Sequence, residues 1–147
     1  MANPKVKWID GMNFVGVDAD GRGTLISGSS DGPGVSPMQM LLLGLGSCSS
    51  VDVVIILKKQ RQPLEDIEVE LRGVRGDEPP RPYQDIDMHF IVTGHGLDTN
   101  KVERAIKLST EKYCGAHGTL SGVANIKTTY EIRDPKAPTE AEETTES

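Results

Sequence analysis

The chain has 147 residues, 36% of them hydrophobic and 26% charged, with a formal net charge of −6. That length suits a single domain with a proper core, and the acidic balance, with no dense run of Lys and Arg, argues against nucleic acid as a partner. Residues 1–10 lack the apolar centre of a signal peptide, no apolar stretch is expected to reach the roughly 18 residues of a membrane span, and a cytoplasmic protein is expected.

The first elements read as a short antiparallel meander. Val6 and Trp8 alternate in one strand, Met12 and Phe14 in the next, with a turn at Asp10-Gly11. Val15 and Val17 carry the opposite phase, which suggests a bulge at Gly16. Thr24, Leu25 and Ile26 supply a third strand, and residues 27–34 are rich in Gly, Ser, Asp and Pro, so they form a loop. Ser36-Pro37-Met38-Gln39 then predicts a helix start. Ser36 can accept from the backbone N–H three residues on, Pro37 suits the first helical position, and Gln39 can reach back to the cap. The helix should run to about Lys59, before Pro63. Its residues 38–57 are apolar on nearly every face, which implies burial. Lys58, Lys59 and Arg61 complement the negative pole at its end.

Beyond Pro63 the period becomes two. Ile67, Val69 and Leu71 alternate with Glu68, Glu70 and Arg72, and Ile86, Met88, Phe90 and Val92 form a second alternating strand, so a hairpin with a long loop over 73–82 is expected. Leu97-Asp98-Thr99-Asn100 introduces a second helix over about 101–113, with Val102, Ala105, Ile106, Leu108 and Ser109 on one face. Cys114-Gly115 ends it, residues 117–122 read as a further short turn or helix, and Ala124, Ile126, Thr128, Tyr130 and Ile132 alternate as the last strand. Residues 134–147 are acidic and hold no bulky apolar side chain, so a disordered tail is expected after a single domain over 1–133. The order β-β-β-α-β-β-α-β with half-wet strands indicates α+β, antiparallel sheets packed on a long central helix. A helix apolar on all sides needs more cover than one small sheet offers. A homodimer that buries it between subunits is the simplest remedy.

Two cysteines, 66 positions apart, form neither a disulfide framework nor a metal-type spacing. Cys48 lies mid-helix in Gly44-Leu45-Gly46-Ser47-Cys48-Ser49-Ser50, where small residues permit close approach of another backbone or leave room for a small substrate. Asp52 falls one helical turn beyond it and needs a hydrogen-bond partner if buried. Its charge would tend to raise a nearby thiol pKa. Cys114, in Glu111-Lys112-Tyr113-Cys114-Gly115, is at the end of a helix, which suits a second-acting thiol better than a first. Tightly packed but inert thiols are the competing reading of both cysteines. Cys114 with His117 is too small a set for a structural zinc site, even with Cys48 or His89 added. A Cys48-His117-Asp52 hydrolase would need all three to converge.

Ser36-Pro37-Met38-Gln39 leading through Gly44 to Cys48 into Asp52-Val53-Val54, with Glu111-Lys112-Tyr113-Cys114 near the end, resembles the OsmC/Ohr family, and most of all its YhfA-like branch. The likeness covers about residues 5–132. It implies an OsmC-like fold, an intertwined homodimer whose long central helices carry Cys48, and a cytoplasmic, peroxiredoxin-like peroxidase of the oxidative stress response. Cys48 is then the peroxidatic thiol and Cys114 the resolving one, joined as a redox-active disulfide that an unidentified dithiol reductant reopens, with no cofactor. Family members pair the reactive cysteine with an N-terminal arginine and an upstream glutamate. Here Met38 and Gln39 stand ten and nine residues before Cys48. Arg22 is the only N-terminal arginine, and Glu111 is a possible replacement carboxylate. The missing glutamate leaves open a different class of function: a non-enzymatic dimer of the same fold, binding a small molecule or lipid while its thiols stay structural.

Overall fold

The computed structural model describes residues 2–135. The chain divides into two compact units, one on either side of the Leu43–Gly44 peptide. The first holds a three-stranded antiparallel sheet of β1 (Lys5–Asp10), β2 (Asn13–Val17) and β3 (Gly23–Ser27). Gly16 pairs regularly with Val6 and Thr24, and the register shift falls between Trp8 and Asp10 instead. The expected bulge at Gly16 is thus corrected. A Cβ there would lie 3.0 Å from Ile26 Cδ1, a tight contact that the end of that side chain could relieve by a small shift.

Helix α1 (Pro37–Lys59) begins in the first unit and continues into the second. Ser36 Oγ accepts from the Gln39 backbone N–H at 3.3 Å, as a cap should. One expectation about this helix fails. Pro37–Lys59 is long and apolar enough, by length and composition, to cross a membrane, with a mean hydropathy of 2.1 over its 18-residue window. Asp52 is the one charged residue between Pro37 and Leu57. Leu45, Val53 and Leu57 of this helix are nevertheless fully buried within the second unit.

That unit contains the sheet β4 (Asp66–Arg75), β5 (Tyr83–Thr93) and β6 (Asn125–Arg133), with β5 in the middle. Strand β4 alternates between half-buried and exposed positions, as its sequence dictates. Ile86, Met88, Phe90 and Val92 of β5 are completely buried. β4 and β5 form the expected antiparallel hairpin, but β5 and β6 are parallel. The expectation of antiparallel sheets is corrected here for a topological reason. The connection from Thr93 to Asn125 carries α2 (Thr99–Leu108), a π turn (Ser109–Tyr113) and α3 (Gly115–Leu120). A crossover of that length returns the chain to the end where β5 began, which a tight turn cannot do. Asp98 caps α2 by accepting from Asn100 N–H at 2.9 Å, and Val102, Ala105 and Ile106 are its buried face. The expected acidic tail lies outside the described residues from 136 onward. Of its first two residues, Asp134 is hydrogen-bonded to His95.

Candidate active site

Cys48 sits in the middle of α1, half-buried and unpaired; Cys114 is also a free thiol and is buried, only 6% exposed. The small residues before Cys48 have distinct reasons. A Cβ on Gly46 would lie 2.6 Å from Leu71 Cδ1, so this glycine admits a side chain of β4 rather than another backbone. Gly44 faces open space. Ser47 and Ser50 turn their hydroxyls back onto their own helix, donating to the Gly44 and Gly46 carbonyls at 3.2 and 2.7 Å. Ser49 differs: it points inward, is fully buried, and its Oγ makes no fully formed hydrogen bond.

Opposite this stretch lies the π turn. Ser109, fully buried, donates through Oγ to Asp52 Oδ2 at 2.9 Å, with the Ser49 carbonyl oxygen at 3.3 Å as a second acceptor. The Cys114 N–H donates to the Ser109 carbonyl oxygen at 2.8 Å, closing the widened i→i+5 turn. Cys114 then leaves helical conformation (φ −77, ψ 104) and becomes the N-cap of α3, its sulfur accepting from the His117 backbone N–H at 3.3 Å. The cysteine expected at a helix end is also at a helix start.

Its sulfur nevertheless stays a thiol. Burial pushes the Cys114 pKa up, outweighing the Ser49 hydroxyl and the His117 N–H, which favour the thiolate; contact with Cys48 pushes it further up. The Ser49 hydroxyl is thus near enough to act on the Cys114 sulfur while falling short of a full hydrogen bond to it. Cys48, Cys114 and Asp52 are brought together in the second unit. Glu111 is not part of that group: it is exposed and lines a separate cavity with Glu103, Thr110 and Thr128. Arg22 and Gln39 belong to the first unit, where Arg22 is paired with Asp20 at 3.3 Å on an open turn. Asp52 is engaged by Ser109, and His117 lines a cavity with Ser121 and Asn125. Beside Asp52 opens a cleft of about 440 Å³, walled by Ile55, Ile56, Leu108 and Tyr113 with Lys59 at its edge.

Sequence reasoning missed Ser49 and gave Ser109 no chemical role. Their signal was faint: a hydroxyl that continues the apolar face of α2 into the π turn, and one serine among three around Cys48.

The shifted proton affinities of Cys114 and His117 set a pH window for the reduced protein. The folded state holds the Cys114 proton more tightly than the unfolded chain does. Its stabilisation is therefore complete below the ordinary thiol value of 9.0 and is lost as pH rises through the folded value. Burial lowers His117 below 6.5, so its contribution is complete above 6.5 and is lost as pH falls through the folded value. Thermal melts of the reduced protein should show a plateau between these limits. Cys114→Ser should remove the limb that begins near 9.0 and leave the acid limb, whereas an alkaline limb that survives unchanged contradicts the assignment. Tyr83, raised above 10.0 by burial, enters only at higher pH.

A family profile described as OsmC-like protein matches residues 28–131. Protein YhfA of Escherichia coli is 44% identical over 128 residues, covering 87% of this chain and 96% of the relative. The crystal structure of a hypothetical protein from Aquifex aeolicus superposes with a TM-score of 0.82 at 30% identity, covering 92% and 98% of the two chains. A Legionella pneumophila structure described as organic hydroperoxide resistance protein OsmC shares the fold at a TM-score of 0.66 and 17% identity, over 90% of this chain and 98% of its own. With the same order of strands and helices around the cysteine-bearing helix, the chain belongs to the OsmC-like family.

Proposed function

We propose that this protein is a cytoplasmic thiol peroxidase that reduces hydroperoxides with Cys48 and Cys114 in oxidative stress defence. The observation that carries this reading is the hydrogen-bonded link between the helix of one free thiol and the backbone of the other: Asp52, one turn beyond Cys48, accepts from Ser109, whose carbonyl accepts from the Cys114 N–H. The description of the Legionella relative as a hydroperoxide resistance protein supports it. In the first step the Cys48 thiolate attacks one peroxide oxygen. The O–O bond breaks, the alcohol or water leaves, and Cys48 becomes a sulfenic acid. Cys114 then attacks the Cys48 sulfur, and its retained proton accompanies the departing hydroxyl as water while the S–S bond forms. A dithiol reductant restores both thiols by exchange. The apolar walls of the cleft beside Asp52 suit the alkyl part of an organic hydroperoxide. Nothing in these steps calls for a metal, flavin or haem.

Val51 and Ile55 of α1 are exposed, and the same reading takes them as part of the interface of a homodimer. The cleft also favours a second reading, a dimeric small-molecule or lipid carrier whose thiols are structural. The two separate in one titration of reduced protein with cumene hydroperoxide and, separately, hydrogen peroxide, followed by intact mass and free-thiol counts. The peroxidase loses both thiols and two hydrogens per chain and yields a Cys48–Cys114 peptide. Thiols that persist through excess of both oxidants leave the carrier as the better account.

A further inference from the structure

We propose that Asp52 and Ser109 are positioning residues, a hydrogen-bonded clamp that holds the π turn on α1 and so keeps Cys114 against Cys48. The inference rests on the dithiol reading above and names the groups that make the pair competent.

The path between the two sulfurs through the structure is short. Asp52 lies one helical turn beyond Cys48, on the same face of α1. Its carboxylate accepts the Ser109 hydroxyl at 2.9 Å, and the Ser109 carbonyl accepts the Cys114 N–H at 2.8 Å. Two hydrogen bonds therefore tie the backbone of Cys114 to the helix that carries Cys48. Ser109 is the first residue of the π turn, whose remaining four residues include three exposed side chains, Glu111, Lys112 and Tyr113. On the other side of Cys114, α3 contributes no buried residue. Apart from Cys114 itself, the segment from 110 to 120 thus holds no buried side chain to fix it, and the buried Ser109 contact is its hydrogen-bonded anchor on α1. A carboxylate acceptor makes that contact one of the stronger kinds of hydrogen bond, and burial of Ser109 excludes water as a substitute partner.

Anchoring matters because a disulfide forms at a rate and to an extent set by how often the two sulfurs are apposed. A preorganised pair behaves as if each thiol were present at high concentration near the other. Releasing the π turn lowers that effective concentration without touching either sulfur.

The test is the equilibrium of the full chain with oxidised dithiothreitol. Two protein thiols exchange with one cyclic disulfide, giving the Cys48–Cys114 bond and reduced dithiothreitol, and acid quenching with alkylation and mass spectrometry counts both forms. Asp52→Ala and Ser109→Ala are expected to lower the exchange constant by about tenfold, as loss of one charge-assisted hydrogen bond implies. Asp52→Asn, whose side-chain carbonyl still accepts from Ser109, is expected to stay within about threefold of the native value. If Ser109→Ala fails to fold, the contrast between Asp52→Ala and Asp52→Asn decides. Native-like constants in both alanine variants overturn the clamp, as does an Asp52→Asn value as low as that of Asp52→Ala. A native protein that forms no Cys48–Cys114 bond overturns it too. A clamp that behaves as expected in a protein inert toward peroxides sinks the peroxidase reading alone.

Discussion

Replacing Cys48 by serine is expected to abolish hydroperoxide consumption, with a loss of at least about a hundredfold, the equivalent of ~2.7 kcal/mol in the barrier. A hydroxyl at that position stays protonated at neutral pH and is a far weaker nucleophile than a thiolate. Cys114→Ser should behave differently. The half-buried Cys48 remains able to attack a first equivalent of peroxide, but no second thiol is in place to condense with the sulfenic acid. Peroxide consumption then stops after about one turnover, and intact mass should show one added oxygen that becomes two as peroxide is raised. The asymmetry follows from burial: the more exposed sulfur meets the oxidant and the buried one meets only its neighbour. Equal loss of the first turnover in both variants would reverse or dissolve this division of labour. Full activity in Cys48→Ser would remove the thiol mechanism altogether.

Where the sequence spoke clearly, it did so through local rules. Ser36 and Pro37 marked the start of α1, Pro63 bounded its end, and the alternation of Ile67, Val69 and Leu71 with charged residues set the inward face of β4. These signals depend on neighbours within a few residues. The direction of β6 does not: Ile126, Thr128 and Tyr130 alternate identically whether the strand runs parallel or antiparallel to β5. The π turn is hidden for a similar reason, because nothing in Ser109–Tyr113 distinguishes an i→i+5 bond from an i→i+4 one. Cys114 was legible as a helix end but not as the cap of the helix that follows, since the short turn or helix expected over 117–122 begins two residues earlier, at Gly115. The two thiols were connected only by resemblance to a family, and Asp52 was readable as a group in need of a partner. Its partner, Ser109, is 57 positions away, a distance no periodicity reports.

The exposed apolar residues of α1 raise the last large effect. Val51 is 56% exposed and Ile55 48% exposed, one turn apart on a helix whose Leu45, Val53 and Leu57 lie in the core of its unit. A buried side chain of this kind contributes about 1.5–3 kcal/mol relative to an exposed one, so a second copy that covers both would gain two such contributions per subunit. An isologous contact would use each of them twice. Aspartate at Val51 would have to enter that interface, and desolvating a carboxylate costs several kcal/mol. Val51→Asp is therefore expected to weaken dimerisation by at least about a hundredfold, seen by sedimentation velocity as a monomer at concentrations where the native protein is dimeric. Ile55→Asp should act in the same direction and also put a charge into the cleft beside Asp52. A native protein that sediments as a monomer would sink the interface. A Val51→Asp variant that stays dimeric would move the interface off this face of α1, and the exposed Val51 would then need another cover.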